Sequence, residues 1–230
     1  MVRFVLIAAL LAAVSTPALA QSPGPDGRWA FILGAGTDNR SWGLSRSDGE
    51  AFVFGATEWE NASGLVYARS GFQTIKSAGG SDLELAFGAG LRPEVAGFDL
   101  DLNLTYNSQI GGAAGFDDTA WELTADVRRS IGPASGHLRL QYSPDGTGST
   151  EAWTWVEARL GWDFTDRLQA RVEIGRREQD NNLDYTAWNV GLAYALTRNL
   201  EGELRYYATD ADVPGEHSAD TLVAGISLAF

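Results

Sequence analysis

The sequence predicts an all-β fold: a single antiparallel transmembrane β-barrel of about 12 strands behind an N-terminal signal peptide. Three observations carry this expectation. Apolar and polar residues alternate with period two from Arg28 to the end, the polar face is too charged to be a sandwich core, and short connections take turns with longer polar ones.

In chain order, Arg3 precedes an apolar run from Phe4 to Val14 and then Pro17, Ala18, Leu19 and Ala20. This is the charged start, short apolar stretch and small-residue cleavage site of a secretory signal. Cleavage is expected after Ala20, which leaves a short N-terminal segment, 21–27, and a barrel over 28–230. No later run approaches the roughly 18 apolar residues of a membrane helix, so any membrane span must be made of strands. The chain has 230 residues, which fits one domain, and no cysteine. Its 30 Asp and Glu against 17 Lys and Arg give a net charge of -13, a surface that excludes nucleic acid as a partner.

Strands are expected at 28–46, 50–59, 65–73, 81–90, 97–107, 118–128, 135–143, 151–164, 168–177, 185–196, 200–208 and 219–230. The clearest is the fifth, where Phe98, Leu100, Leu102, Leu104 and Tyr106 alternate with Asp99, Asp101, Asn103, Thr105 and Asn107. In the last, Leu222, Ala224, Ile226, Leu228 and Phe230 share one parity and so one face, which the barrel turns to lipid. Aromatic residues fall in two girdles. Trp29, Trp59, Phe98, Trp162, Phe164, Tyr194 and Phe230 lie toward the inner rim, and Tyr106, Trp121, Tyr142, Trp188 and Tyr206 toward the outer.

The opposite parity gives the candidate pore lining: Asp82, Glu84, Asp99, Asp101, Glu122, Asp126, Arg128, Arg139, Glu157, Arg159, Arg171, Glu173, Glu203 and Arg205. Asp82, Glu84, Asp99 and Asp101 read as an acidic sector. A mixed sector follows, in which hairpin pairing about Asp166 sets Arg159 opposite Glu173. Like-charge rings select ions, whereas opposed acidic and basic walls favour small polar solutes. The contrasting reading of the same residues is a filled lumen closed by ion pairs.

The stretch "NRSWGLSRSDGEAFVFGATEWENASGLVYA" resembles the opening of the TorF porin family, with its Ser-Asp-Gly turn at Ser47, Asp48 and Gly49. "QYSPDG" and "DYTAWNVGLAYAL" resemble later segments of that family. The chain departs from the pattern at Trp42, where the family usually carries Arg before the glycine that matches Gly43. The resemblance implies an outer-membrane barrel with a pore for passive diffusion of small hydrophilic solutes. Its partners are then outer-membrane lipid and lipopolysaccharide, small solutes and the barrel-assembly machinery, with association of like barrels left open. The alternative is a filled barrel with a structural, adhesive or lipid-modifying role.

An enzyme is not expected. Acyl transfer or hydrolysis needs a base beside its nucleophile, and the two histidines, His137 and His217, lie on an inward face and in a loop. His217 has Glu216, Ser218 and Asp220 near it in sequence, a composition normal for an exposed loop. "REQDNNLD" and "ATDADVPGEH" carry oxygen ligands without the spacing of a calcium loop and read as solvated loops. Asn61, Ala62 and Ser63 read as a turn. No phosphate loop, dinucleotide fingerprint or metal-ligand cluster appears, and no cofactor or metal is expected.

A terminal aromatic on the lipid-facing parity resembles the carboxyl-terminal signal read by the barrel-assembly machinery. Deleting Phe230 is therefore expected to lower outer-membrane insertion more than secretion, measured by membrane fractionation against total export; equal insertion leaves Phe230 as an anchor alone.

Overall fold

The computed structural model describes residues 27–230 except Pro214. The expected signal peptide, 1–20, and nearly all of the segment 21–27 lie outside the described residues. Twelve antiparallel strands form the wall: β1 (Arg28–Gly36), β2 (Phe52–Glu60), β3 (Val66–Thr74), β4 (Leu83–Leu91), β5 (Phe98–Ile110), β6 (Thr119–Ile131), β7 (Ala134–Ser143), β8 (Trp153–Asp163), β9 (Leu168–Gln179), β10 (Tyr185–Ala195), β11 (Leu200–Thr209) and β12 (Thr221–Ala229). Each pairs with the next, and β12 returns to β1. At that seam Phe31 and Phe230 exchange both backbone hydrogen bonds, at 2.9 and 3.0 Å. A short strand, Glu94–Val95, folds back on β5 through Ala96 and Gly97, both at positive φ.

The alternation sorts side chains inside out relative to a soluble protein. On β5, Leu102 and Leu104 are each 48% exposed, whereas Asp101 is fully buried and Asn103, Thr105, Asn107 and Gln109 are nearly so. The same division runs round the wall: Leu138, Val156, Leu160, Ile174, Leu192 and Leu222 face out, and Arg139, Glu157, Glu173, Arg177, Asn189 and Arg205 are buried inside. An apolar outer belt over a polar interior is the arrangement of a barrel whose solvent is lipid. The girdle aromatics Trp29, Trp121, Trp162, Phe164, Trp188, Tyr194 and Phe230 are exposed on that belt. Tyr106 packs on Trp121 and Trp188 on Tyr206 at ring distances of 5.0 and 5.7 Å.

Connections 61–65, 92–97, 132–133, 164–167 and 196–199 lie at one end, and 37–51, 75–82, 111–118, 144–152, 180–184 and 210–220 at the other. By the asymmetry of such barrels the first set faces the periplasm. The turn at Asn61 forms as read, its side-chain oxygen accepting from the Leu65 and Val66 amides at 3.1 and 3.2 Å. The outer connections are laced together: Gly148 N–H donates to Asp117 O at 2.7 Å, Ala113 to Gly79 at 2.8 Å and Lys76 to Arg46 at 2.6 Å.

One expected strand is corrected. The first strand does not run over 28–46; it stops at Gly36, and residues 37–51 turn inward as a hairpin of Arg40–Ser41 paired with Leu44–Ser45. Trp42 and Gly43 form its tip with φ of 52° and 81°, the two left-handed positions of a tight hairpin turn. A Cβ on Gly43 would lie 2.2 Å from the Ala187 methyl on β10, so the tip reaches the far wall at a place where only glycine fits. The alternation could not reveal this, because a strand in the wall and a strand inside the lumen have the same period.

Replacing Leu102 by Arg places a charge on the lipid face and is expected to cost about 2–4 kcal/mol if it lies near the bilayer midplane. Denaturant unfolding of the barrel in lipid vesicles reads this cost, and an unchanged midpoint removes the assignment of that face to lipid.

Candidate functional site: the lumen and its inward hairpin

The lumen is lined by charge pairs between neighbouring strands. On the β6–β7 wall, Arg139 holds Asp126 with two hydrogen bonds of 2.7 and 2.8 Å. Arg128 donates to the same carboxylate at 2.7 Å, and His137 Nε2 lies 2.9 Å from it. On the β8–β11 wall Arg159 is 3.4 Å from Glu173, its register partner, as the hairpin about Asp166 requires. Glu173 also takes a hydrogen bond from Asn189 at 2.9 Å and one from Arg205 at 3.1 Å, while Arg159 bonds Glu157 and Arg205 bonds Glu203.

The acidic sector is not a bare like-charge wall. Asp82 precedes β4 and Asp99 stands at the periplasmic rim, both exposed, so neither is enclosed by the lumen. The other two carry counter-charges supplied by connections. Arg92, at the β4–β5 turn, forks onto Glu58 at 2.6 and 2.8 Å, reaches Asp101 at 3.0 Å and stacks 3.7 Å over the Tyr67 ring. Tyr67 hydroxyl donates to Asp101 at 2.6 Å. Arg46, from the hairpin loop, grips Glu84 with two hydrogen bonds of 2.7 and 2.5 Å. Burial works against the Arg46 charge, but its attraction to Glu84 prevails and holds the guanidinium pKa above its ordinary value. Glu122 and Arg171 lie on the inner face, half-buried; Asp163, at the end of β8, is exposed at the rim, where it accepts from Gln169 at 2.5 Å.

The hairpin is built to stay inside. Asp38 accepts from Arg40 at 2.6 Å, Ser45 at 2.5 Å and Ser47 at 3.0 Å, which ties the hairpin's two arms together. Asn39 reaches Gln73 at 3.1 Å, and Gln73 in turn donates to Glu84 at 2.8 Å. Across the lumen, Trp42 Nε1 donates to Gln141 at 3.0 Å and its ring meets Trp153 edge-on at 4.9 Å. The Arg177 guanidinium lies over both rings, 4.4 Å from Trp42 and 4.2 Å from Trp153. Leu44 packs on the same cluster, beside Trp155, Tyr185 and Ala187. From above, His217 Nδ1 sits 3.0 Å from Ser45 O, and the Ser45 amide donates to His217 O at 2.8 Å. His217 therefore braces the hairpin, and Ser218 hydroxyl donates to the Val213 carbonyl at 2.7 Å instead of pairing with it.

Beside the hairpin lie a cavity of about 50 Å³ toward β1, β2, β11 and β12 and one of about 60 Å³ toward β7–β10. Each has room for on the order of a few waters. Sequence reasoning missed the inward position of Asp38, Arg40, Trp42 and Arg46, which narrow the lumen here, because it carried them in the wall. It missed Glu58, Tyr67 and Arg92 for a different reason: inward Phe52 and Phe54 on β2 blur the polar parity, and Arg92 belongs to a turn.

An inside-out closed barrel with a polar, partly occluded lumen is the architecture of the outer-membrane porins. Its sequence matches the model of Gcw_chp, described as a bacterial protein of unknown function, over residues 30–227, and the chain belongs to that family. Among solved structures it is similar to the KdgM porin, with a TM-score of 0.61 at 10% identity over 87% of this chain and 99% of that one. It is also similar to the NanC porin (0.59, 9%, 87% and 98%) and to an outer-membrane channel from Pseudomonas putida F1 (0.56, 10%, 91% and 97%). No curated protein matches it in sequence.

Asp126 is bonded to two arginines and a histidine inside the wall. Asp126→Asn leaves buried guanidinium charge uncompensated and is expected to destabilise the barrel by about 3 kcal/mol or more, whereas a solvated pair would cost under about 1 kcal/mol. Equilibrium unfolding in detergent measures the difference.

Proposed function

We propose that the chain is an outer-membrane porin that passes small hydrophilic solutes, with the hairpin at 37–51 as its constriction. The observation that carries the reading is the crossing of the lumen by Trp42, held to Gln141, Trp153 and Arg177 on the far wall. A structural barrel needs no loop of its own folded back through its interior. In a porin such a loop sets the width of the narrowest section, which decides which solutes pass. Of the inward residues named from the sequence, Glu84, Asp101, Asp126, Arg128, Arg139, Glu157, Arg159, Glu173, Glu203 and Arg205, with Arg46 and Arg92 added, then line the route as paired charges. Selection by size and hydrogen bonding outweighs selection by net charge in such a lining. The resemblance to TorF porins agrees with this reading, and one solved relative in fold is described as a KdgM porin in complex with disordered oligogalacturonate, a hydrophilic solute.

The test is single-channel conductance of the refolded chain in a planar bilayer under a salt gradient. Discrete steps with weak ion preference are expected. Trp42→Ala, or replacement of 40–45 by Gly and Ser, is expected to raise the step size about twofold or more by widening the narrowest section. A folded, inserted barrel without steps in either form means a closed lumen, and equal steps in both place the constriction elsewhere.

A further inference from the structure

We propose that the cavity between β1, β2, β11, β12 and the inward hairpin is a binding site for a small primary ammonium group, with Glu201 as its counter-charge. This goes beyond the porin reading, because binding there requires no conduction.

Glycine creates the space. A Cβ on Gly34 would lie 2.4 Å from the Phe54 ring and one on Gly36 2.6 Å from the Phe52 ring, so both rings lie over bare β1 backbone. With Ala35 and Val223 they give the cavity of about 50 Å³ an apolar side. The other side is polar and incomplete. Glu201 and Ser227 are register partners on β11 and β12, 7% and 3% exposed, and both line the cavity. Glu201 Oε1 and Ser227 Oγ have no hydrogen-bond partner.

The remaining charges of the cavity are committed. Arg40 is held by Asp38 and by the Gly43 carbonyl. Arg205 is held by Glu173, Asn189 and Glu203. Three carboxylates, Asp38, Glu201 and Glu203, thus meet two arginines, and Glu201 is the one with no ion pair among the described residues. Arg171 and Arg205 also attract Glu201 electrostatically, and Glu203 repels it.

A buried carboxylate oxygen without a donor is costly, and the partner that relieves it must bring both charge and N–H groups. Water brings donors without charge. A hard metal ion calls for six or more oxygens, where Asp38 and Glu203 are already held by arginines and Glu201 is the one carboxylate of the lining without an ion pair. An R–NH₃⁺ group fits the carboxylate, the hydroxyl and the phenyl rings together. One N–H meets Glu201 Oε1, a second meets Ser227 Oγ, and the short alkyl stem lies along Phe52, Phe54 and Val223, where aromatic rings also favour a cation.

Equilibrium dialysis of radiolabelled methylammonium against the refolded full chain in detergent tests the site. Saturable uptake is expected, displaced by ethylammonium and not by tetramethylammonium, which has no N–H. Glu201→Gln is expected to weaken binding about tenfold or more and Ser227→Ala by less, each variant retaining the gel mobility of a folded barrel. If Glu201→Gln does not fold, Ser227→Ala with the tetramethylammonium comparison carries the test. Uptake that does not saturate, equal binding by Glu201→Gln, or equal displacement by tetramethylammonium overturns the proposal and leaves a cavity that holds water. Conductance is recorded on the same preparations: steps without amine binding remove this site and spare the porin reading, and binding without steps does the reverse.

Discussion

In a bilayer no backbone N–H or C=O can be left to solvent, and this constraint governs the whole molecule. A sheet meets it only by closing on itself. Closure depends on β12 finding β1 in register, which the paired bonds of Phe31 and Phe230 secure at the seam. Once the sheet is closed, period two divides every strand between lipid and lumen. The lumen must then accept every polar side chain that the outer belt cannot.

Twelve strands leave an interior between the filled core of small barrels and the open channel of large ones. Arginine suits that intermediate width. Its long stem spans from one strand to the next, and its planar fork bonds two acceptors at once, as Arg139 does on Asp126 and Arg46 on Glu84. The charge inside is thereby neutralised pair by pair. The acidic excess of the chain lies instead in exposed outer connections, at Asp48, Glu50, Asp117, Asp118, Asp180, Asp184, Asp210, Asp212 and Asp220. The negative charge of the protein is therefore concentrated at the outer mouth, above a nearly neutral interior.

The wall was legible in the sequence and the hairpin was not, for one reason. Alternation reports which face a residue takes on a strand, and lipid on one side makes that contrast strong, so β5, β8, β9 and β12 could be read almost to their ends. Alternation carries no information about where a strand goes. Arg40–Ser41 and Leu44–Ser45 keep the extended backbone of β1 while leaving the wall, and only the left-handed pair at Trp42 and Gly43 marks the reversal. The Asp-Gly turn at Asp48 and Gly49 was legible because both positions need positive φ, and they have it, at 55° and 74°. Charge partners were the least legible. Arg159 and Glu173 follow from hairpin arithmetic, but Arg46–Glu84 and Arg92–Glu58 join a turn or loop to a wall strand, which no local pattern encodes.

The hairpin also accounts for the inward aromatic residues that a simple barrel rule would place outside. Trp153, Trp155 and Tyr185 face the lumen at the level where Trp42 and Leu44 arrive, and together they form a small apolar cluster inside a polar interior. A polar hairpin suspended in water would gain little by staying there, since its hydrogen bonds to the wall only replace those to solvent. Burying the Trp42 ring against Trp153, with Arg177 over both, adds a term that water cannot match. Trp42 thus matters for position as well as charge: an indole at the tip is held by the far wall, where a guanidinium would seek carboxylates along the lumen.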